Sequence, residues 1–299
     1  MLSTHHQVFI EVAKEKSFSR ASDNLYISQP AISKHIKLLE EHYHIKLFDR
    51  KGIHIDLTAA GKLLLQRLLQ VKTIQEATEF ELSLMTHQPV GQGVFKLGAS
   101  TTIALYILPK VLSVFLQQYP QLEITLLNRN SEIVLEALLN QEINLGIIEG
   151  REKLTNVVYQ PFMNDKVIAV CSKKNNIARK KSYLLKEVTQ MPVALRERGS
   201  GTLEALKYTL EKNKIGLNDL QVKARLGGTE ALKNFLIESD CVGFLPQRSV
   251  FKELKHGELT EVHFEGLHIE RSFYFIQRKG ESSELNKKFI MQARKVYNK

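Results

Sequence analysis

The residues with the clearest chemistry lie in the segment ISQPAISKHIKLLEEHYHI. The amide of Gln29 pairs a donor with an acceptor and so matches the N6 and N7 edge of adenine in the DNA major groove. Ser33 and Lys34 follow one helical turn later and suit phosphate contacts, which position a protein on a duplex. The pattern therefore predicts a helix that reads DNA with its first turns. The expected DNA contacts are Ser28, Gln29, Pro30, Ser33, Lys34, Lys37, Arg50 and Lys51.

Short helices and a hairpin must hold these side chains. Ser17 can cap one helix, and Ser28 can cap the next, whose first turn tolerates Pro30. The segment LFDRKGIHIDLT then alternates and turns at its central Lys-Gly, as in a two-stranded wing. Residues 1–58 are thus predicted to form a winged helix-turn-helix. The open alternative is a helical bundle that only looks like a DNA reader.

A long helix is predicted over residues 59–90, since Thr58 can cap it and the sequence from Lys62 to Gln88 contains no Gly or Pro. Its apolar positions recur with a mean spacing of about 3.5, the seam of a two-stranded coiled coil. The alternative is a helix packed on its own domain. After the helix, the segment HQPVGQG is predicted to form a hinge. The seam positions are Leu64, Leu68, Val71, Ile74, Thr78, Leu82 and Met85.

The rest of the chain, residues 91–299, alternates short apolar strands with helices. VFKLGAS reads as a strand, STTIALYILPKVLSVFLQQYP as one helix, and DKVIAVCS, PVALRE, CVGFLPQ and RSFYFIQRK as further strands. Such alternation predicts mostly parallel sheets covered by helices, and the length allows two lobes with a cleft. The chain as a whole is therefore expected to be an α+β multidomain protein.

Three strand-to-helix junctions of this region could bind an anion. They are STT at 100–102, RERGSGT at 196–202 and GGTE at 227–230. Hydroxyls and free N–H groups converge at such helix starts, and glycine lets the backbone approach closely. A simpler interpretation is that each Ser or Thr only caps its helix. The expected effector contacts are Ser100, Thr101, Thr102, Glu149, Arg196, Gly199, Ser200, Gly201, Thr202 and Thr229.

Glu149 complicates an anion site because it ends the strand of GIIEG with a negative charge. If this carboxylate faces the cleft, it either disfavours a bare anion or pairs with Arg196 or with an ammonium group of the ligand. A zwitterionic ligand would reconcile the two signs of charge.

The stretch from SFSRASDNL to DLTAAG resembles the signature of LysR-type transcriptional regulators, with Ser22 in place of the usual Ala. The RERGSGT and GGTEA stretches resemble the branch that includes sulfur-assimilation and carbon-fixation regulators. The positions that carry the main resemblance are Ser17, Phe18, Ala21, Leu25, Ser28, Gln29, Pro30, Ala31, Ser33, Leu39, Glu40, Leu47, Phe48, Arg50, Leu57, Thr58 and Gly61.

This resemblance implies a winged helix-turn-helix, a dimerisation helix and a two-lobed effector domain related to periplasmic solute-binding proteins. Lobe 1 would take 91–161 and 266–299, and lobe 2 would take 162–265. The implied partners are an inverted-repeat promoter site in double-stranded DNA, RNA polymerase, and copies of the chain in homodimers and homotetramers. The implied ligand is a small effector such as sulfite, sulfate or an acetylserine-like metabolite, with no cofactor.

Composition adds limits on location. The formal net charge of +10 does not make the DNA case, because the excess of Lys and Arg lies mainly after residue 90. No apolar run reaches the roughly 20 residues that span a bilayer, and the N-terminus lacks the pattern of a secretion signal. Cys171 and Cys241 show no CxxC spacing, which favours buried thiols in a reduced compartment. We therefore expect a cytoplasmic protein.

Other function classes fit less well. An enzyme would need a catalytic triad, paired carboxylates, metal spacing or a cofactor fingerprint, and the sequence contains none of these. A solute-binding protein would not carry a helix-turn-helix. A DNA-binding regulator whose sensor domain works without a ligand remains an alternative.

Overall fold

The computed structural model describes residues 2–51, 54–86, 93–150, 154–280 and 283–297. The chain divides into two compact units, Met1–Gly93 and Val94–Lys299. No helix in these described ranges is both long and apolar enough to cross a membrane.

The N-terminal unit is a helix-turn-helix followed by a hairpin and a long helix. Its elements are α1 (Thr4–Glu15), α2 (Phe18–Leu25), α3 (Gln29–Tyr43), β1 (Phe48–Lys51), β2 (His54–Leu57) and α4 (Ala59–Thr86). The two strands pair antiparallel from Phe48 opposite Leu57 to Lys51 opposite His54. The turn that joins them, predicted at Lys51-Gly52, lies outside the described residues from Gly52 onward.

Side-chain caps set the starts of these helices, as the sequence predicts. The Ser17 hydroxyl accepts a hydrogen bond from the Arg20 amide at 3.3 Å, and the Ser28 hydroxyl accepts one from the Ala31 amide at 3.4 Å. At the start of α4, Thr58 accepts from the Gly61 amide at 3.0 Å. Each cap satisfies a backbone donor that has no partner within its own helix.

A small aromatic core holds the unit together. The Phe48 ring, on the first wing strand, contacts the rings of Phe9 and Phe18 at centroid distances of 5.3 and 5.9 Å. Ile32, Ile36 and Leu39 add the buried face of α3. Because the apolar residues of α3 point into this core, its polar residues face outward.

Helix α4 divides along its length. Leu68 is buried with the core of the N-terminal unit, and Leu64 and Leu65 pack against that core. Farther along, Val71, Ile74 and Leu82 are exposed on the single chain. The predicted seam therefore packs on its own domain at Leu68, whereas Val71 and Ile74 beyond it are exposed. The side chain of Met85 and the predicted hinge, residues 87–92, lie outside the described part.

The C-terminal unit is built from the following strands and helices. The strands are β3 (Gly93–Ser100), β4 (Leu122–Arg129), β5 (Leu145–Glu149), β6 (Val157–Ser172), β7 (Tyr183–Leu184), β8 (Pro192–Arg196), β9 (Gln221–Leu226), β10 (Val242–Pro246), β11 (Leu259–Glu261), β12 (Phe264–Glu265) and β13 (Ile269–Arg278). The helices are α5 (Thr101–Tyr106), α6 (Leu108–Gln118), α7 (Ser131–Leu139), α8 (Gly201–Lys212), α9 (Thr229–Glu238), α10 (Phe251–His256) and α11 (Glu284–Tyr297).

One long sheet with the order β4-β3-β5-β13-β6-β10-β8-β9 runs through this unit. The sheet has two halves, one on each side of the central strands β6 and β13. In one half β3 is parallel to β5, and in the other β8 is parallel to both β9 and β10. Strands β6 and β13 run antiparallel from Ile269 opposite Val167 to Arg278 opposite Val157. The middle of the sheet is therefore antiparallel, which differs from the mostly parallel sheet expected. The difference arises because the chain passes between the halves twice, in opposite directions.

The predicted single helix after β3 is two helices in the structure. Helix α5 ends at Tyr106, and α6 begins at Leu108 with Pro109 in its first turn. A proline has no N–H to continue the hydrogen-bond ladder of the preceding helix, so a break at this point is expected. The short α5 places Thr102 and Tyr106 beside the second half of the sheet.

Candidate DNA-binding surface and effector site

The N-terminal turns of α3 expose a polar face. Gln29, Pro30, Lys34 and Lys37 are exposed, and Ser33 is half-buried. Lys37 lies 3.6 Å from a carboxylate oxygen of Glu41, one turn farther along the helix. Gln29 and Lys34 can therefore reach a groove or a phosphate without moving the core.

The other predicted DNA contacts have different situations. Ser28 is exposed, but its hydroxyl already accepts a hydrogen bond as the cap of α3. Arg50 and Lys51 belong to β1, and their side chains lie outside the described part of the chain. Tyr26, in the turn before α3, was not among the predicted contacts. It is 95% exposed, and its backbone has the left-handed conformation, with φ 54°.

A buried arginine that the sequence analysis did not identify forms the centre of the effector domain. Arg271 lies on β13, and its side chain is only 3% exposed. Its Nη1 donates to Glu149 Oε1 and to Thr202 Oγ1, both at 2.8 Å. Its Nη2 donates to Thr102 Oγ1 at 3.0 Å and to Asp165 Oδ2 at 2.7 Å. Three of the predicted effector residues are thus brought together by one guanidinium.

Pairing with Arg196, one of the alternatives expected for Glu149, is not found: Arg196 pairs with Glu197 instead. Glu149 accepts hydrogen bonds from Arg271 and, at 2.5 Å, from the Ser131 hydroxyl at the start of α7. The reason is the strand order, which places β5 next to β13 rather than next to β8. A charged residue within the apolar strand RSFYFIQR was the available signal for Arg271, because a buried charge needs a partner.

Arg196 belongs to a second group. Its Nη1 donates to Thr229 Oγ1 at 2.8 Å, and its Nε and Nη2 donate to the Glu197 carboxylate at 2.8 and 2.9 Å. Burial would raise the pKa of Glu197, but hydrogen bonds from Arg196 and the backbone hold it below its usual value. Thr229, at the start of α9, is therefore joined to Arg196 and not to the group around Arg271.

The glycines of the RERGSGT loop allow close approach to protein groups. Gly199 has φ 80°, and a Cβ there would clash with the Glu132 carboxylate. A Cβ at Gly201 would lie 2.5 Å from Glu149 Cβ. These glycines bring the start of α8 against the other half of the sheet, where Asn130 Nδ2 donates to the Arg198 carbonyl at 3.3 Å.

The remaining predicted effector residues supply hydroxyls near helix starts. Ser100 is buried, and its Oγ has no hydrogen-bond partner within the described residues. Thr101 is half-buried at the first position of α5, and Ser200 is buried before α8. Neither Ser100 nor Ser200 makes a side-chain cap, so the simple capping interpretation does not account for them.

A second contact joins the two halves of the sheet through α5 and α9. The Tyr106 hydroxyl donates to the Glu230 carboxylate. Glu230 also lies 3.0 Å from Lys233 Nζ, which lies 2.8 Å from Glu253. Hydrogen bonds to both carboxylates raise the pKa of Lys233 despite the opposing effect of burial. In this structure the halves are therefore closed on each other through protein contacts.

The two cysteines are buried thiols. Burial raises the pKa of Cys171 to about 11 and raises that of Cys241 as well. Since the thiolate is the reactive form, neither is suited to thiol redox chemistry. Within the described ranges, no group of three His, Cys, Asp or Glu side chains could hold a metal ion.

Comparison with known protein families identifies the class. Residues 4–62 match the bacterial regulatory helix-turn-helix protein of the lysR family, and residues 89–298 match the LysR substrate binding domain. The chain belongs to the LysR family, whose members are DNA-binding transcriptional regulators with an effector-binding domain rather than enzymes.

Curated relatives match most of the chain. The regulator CysL of Bacillus subtilis is 29% identical over 292 residues, which cover 97% of this chain and 96% of CysL. The uncharacterised regulator YeiE of Escherichia coli K12 is 33% identical over 256 residues, covering 86% of this chain and 84% of YeiE. Relatives named as probable RuBisCO transcriptional regulators also match, which agrees with the expected branch.

Solved structures share the fold. A full-length OxyR variant from Pseudomonas aeruginosa matches with a TM-score of 0.72 at 17% identity, covering 99% of this chain and 95% of that chain. The CcmR regulatory domain of Synechocystis, in complex with 2-phosphoglycolate, matches with a TM-score of 0.61 at 24% identity, covering 68% and 96%. The predicted helix-turn-helix and two-lobed α/β effector domain are thereby confirmed.

Proposed function

We propose that the chain binds an inverted-repeat site in double-stranded DNA as a homodimer and responds to a small anionic effector. The observation that carries this proposal is the exposed polar start of α3, which projects from a core that fixes the helix. Gln29 would read a base edge in the major groove, while Lys34 would contact a phosphate. Arg50 and Lys51, in the wing, would add contacts to the phosphate backbone of the DNA.

The DNA part is tested by selecting duplexes from a random pool with the full chain and measuring their affinities at several salt concentrations. Gln29→Ala should relax base preference with little change in salt dependence, because it removes a base contact. Lys34→Ala should weaken all sequences and lower the salt slope by about one unit, because it removes one phosphate contact. Equal loss of base preference in both variants would overturn the assignment.

The exposed part of α4 supports the dimer. Val71, Ile74 and Leu82 are large apolar side chains that water reaches on a single chain. A second copy of α4 would cover them, and two helix-turn-helix units would then match two half-sites. Pairing of dimers into tetramers, contact with RNA polymerase and action in the cytoplasm, where the DNA lies, complete the proposal.

The effector part rests on the hydroxyls gathered inside the C-terminal unit. Ser100, Thr102, Thr202 and Thr229 are all buried, as a site for a small oxyanion requires. Similarity to CysL favours sulfite, sulfate or an acetylserine-like metabolite, while CcmR was solved with 2-phosphoglycolate. Glu149 is already engaged by Arg271 and Ser131, so it offers less support for an ammonium-bearing ligand.

Calorimetric titration of the full chain with these compounds tests the effector. Saturable binding of one of them, with a matching rise in melting temperature, is expected. The second candidate is a sensor domain that works without a ligand, and the fully paired Arg271 favours it, because this group needs no ligand to be stable. The absence of any saturable binding would decide for that candidate.

A further inference from the structure

Arg271 has no N–H left for a ligand. A guanidinium carries five N–H groups and no acceptor. In the structure Nε donates to Asp165 Oδ2 at 3.0 Å, while Nη1 and Nη2 each donate to one carboxylate and one threonine. An anionic effector could therefore contact this arginine directly only by displacing a protein partner.

The charge of Arg271 is also balanced. Asp165, 2% exposed, accepts from Arg271 and from Arg248 Nε at 2.7 Å, and Glu149 completes a group of two cations and two anions. A buried charge is stable only when it is paired in this way. The group thus offers an effector little net positive charge.

The threonine hydroxyls keep their hydrogens. A hydroxyl has one hydrogen and two lone pairs, and a guanidinium can only donate. Thr102 and Thr202 must therefore use an oxygen lone pair toward Arg271, so each hydroxyl hydrogen remains available to donate to another group. In the described part of the protein, neither hydroxyl has an acceptor. The two threonines stand at the starts of α5 and α8, one from each half of the sheet.

We infer that Arg271 is a positioning residue that orients the hydroxyls of Thr102 and Thr202 as paired donors to one oxyanion. The effector is held by neutral donors from both halves, and Glu149 and Asp165 act as counter-ions of the arginine rather than as ligand contacts. Since this role presupposes the small oxyanion effector proposed above, its test must separate the two.

The test is a double-mutant cycle on the full-length protein, with sodium sulfate and sodium sulfite as probes in calorimetric titration. Arg271→Lys keeps the charge but cannot span both threonines and both carboxylates. It should weaken binding of the probe about tenfold, as should Thr202→Val. Because the two changes remove the same oriented donor, the double variant should lose clearly less than the product of the single losses. Independent, multiplicative losses would overturn the positioning role.

Arg248→Lys is the matched control, since it alters the other cation on Asp165 without touching either threonine. The affinity of this variant for sulfate or sulfite should stay within about twofold of the affinity of the unmodified protein. Thr202→Ser should restore most of the binding that Thr202→Val loses, because serine keeps the hydroxyl donor. An unmodified protein that binds neither sulfate nor sulfite would remove the inorganic oxyanion effector on which this inference rests, whereas intact binding with a failed cycle would remove only the role of Arg271.

Glu149→Gln gives a second test should Arg271→Lys fail to show a cooperative melting transition. Glutamine keeps the shape: its Oε1 can still accept from Arg271, while its Nε2 can donate to the Ser131 hydroxyl, which then acts as the acceptor. If Glu149 is only a counter-ion of Arg271, the substitution should leave the affinity for sulfate unchanged or increase it, because the local charge becomes more positive. A loss of about tenfold or more would place this carboxylate in contact with the ligand and overturn the inference.

Discussion

At the scale of single residues, the effector domain uses arginine to orient threonine. Arg196 donates to Thr229 at 2.8 Å, as Arg271 does to Thr202, and each guanidinium is balanced by a neighbouring carboxylate. Both arginines are too buried for an unpaired charge to be stable. The same physical arrangement therefore appears twice, and in each case it leaves a hydroxyl hydrogen for another acceptor.

We expect a pair of histidines to make the N-terminal unit sensitive to acid. His5 Nδ1 lies 2.6 Å from His35 Nδ1, so the pair joins α1 to α3 with a single shared hydrogen. Burial, followed by the nearby His5 and Lys34, lowers the pKa of His35 below its ordinary value of 6.5. The unfolded chain then binds this proton more tightly than the folded chain. The stabilisation is therefore present above about pH 6.5 and is lost as the pH falls below it.

We expect the melting temperature of the N-terminal unit to fall between about pH 8 and about pH 5.5, and His35→Gln to reduce this dependence. Glutamine can hydrogen-bond to His5 but does not titrate. His44→Asn is the control, because His44 is exposed at the end of the same helix and lies outside the pair, and asparagine tolerates its left-handed backbone. Identical pH profiles for His35→Gln and the unmodified protein would show that the pair does not govern acid stability.

At the scale of elements, α3 has two tasks at its two ends. Its first turns expose Gln29 and Lys34, while Glu40, near its end, binds the chain that enters the wing. One carboxylate oxygen of Glu40 accepts from the Leu47 amide at 2.9 Å and the Phe48 amide at 3.4 Å, and the other from Lys46 Nζ at 2.7 Å. Burial opposes ionisation, yet these bonds hold the pKa of Glu40 below its usual value. Helix and wing are thereby fixed as one body.

Removing this carboxylate should loosen the wing. Glu40→Ala leaves two amide donors without their partner, which should lower the free energy of unfolding by roughly 2 kcal/mol. Glu41→Ala, next along the helix and exposed, should change it by less than about 0.5 kcal/mol. Urea unfolding followed by circular dichroism measures both. Equal effects of the two substitutions would mean that the bonds of Glu40 add nothing specific.

At the scale of the whole molecule, features with a local cause could be predicted from the sequence, and features that depend on distant residues could not. Ser17 and Ser28 mark helix starts because a cap acts within three residues, and both were predicted. Thr102, Glu149 and Thr202 were predicted as site residues from their helix or strand ends. Their shared partner, Arg271, was not, because it lies 122 residues from Glu149 and depends on the order of strands. No local pattern encodes that order.

The apolar pattern of α4 divides between a buried part and an exposed part. Leu68 is 6% exposed against its own core, whereas Ile74 is 65% exposed. Ile74→Glu should therefore spare the fold but separate the dimer, since a carboxylate within a coiled-coil seam loses hydration. Lys72→Glu, on the opposite side of the helix, should leave the dimer intact. Sedimentation of the full chain distinguishes these outcomes. A dimer that withstands Ile74→Glu would move the interface away from α4.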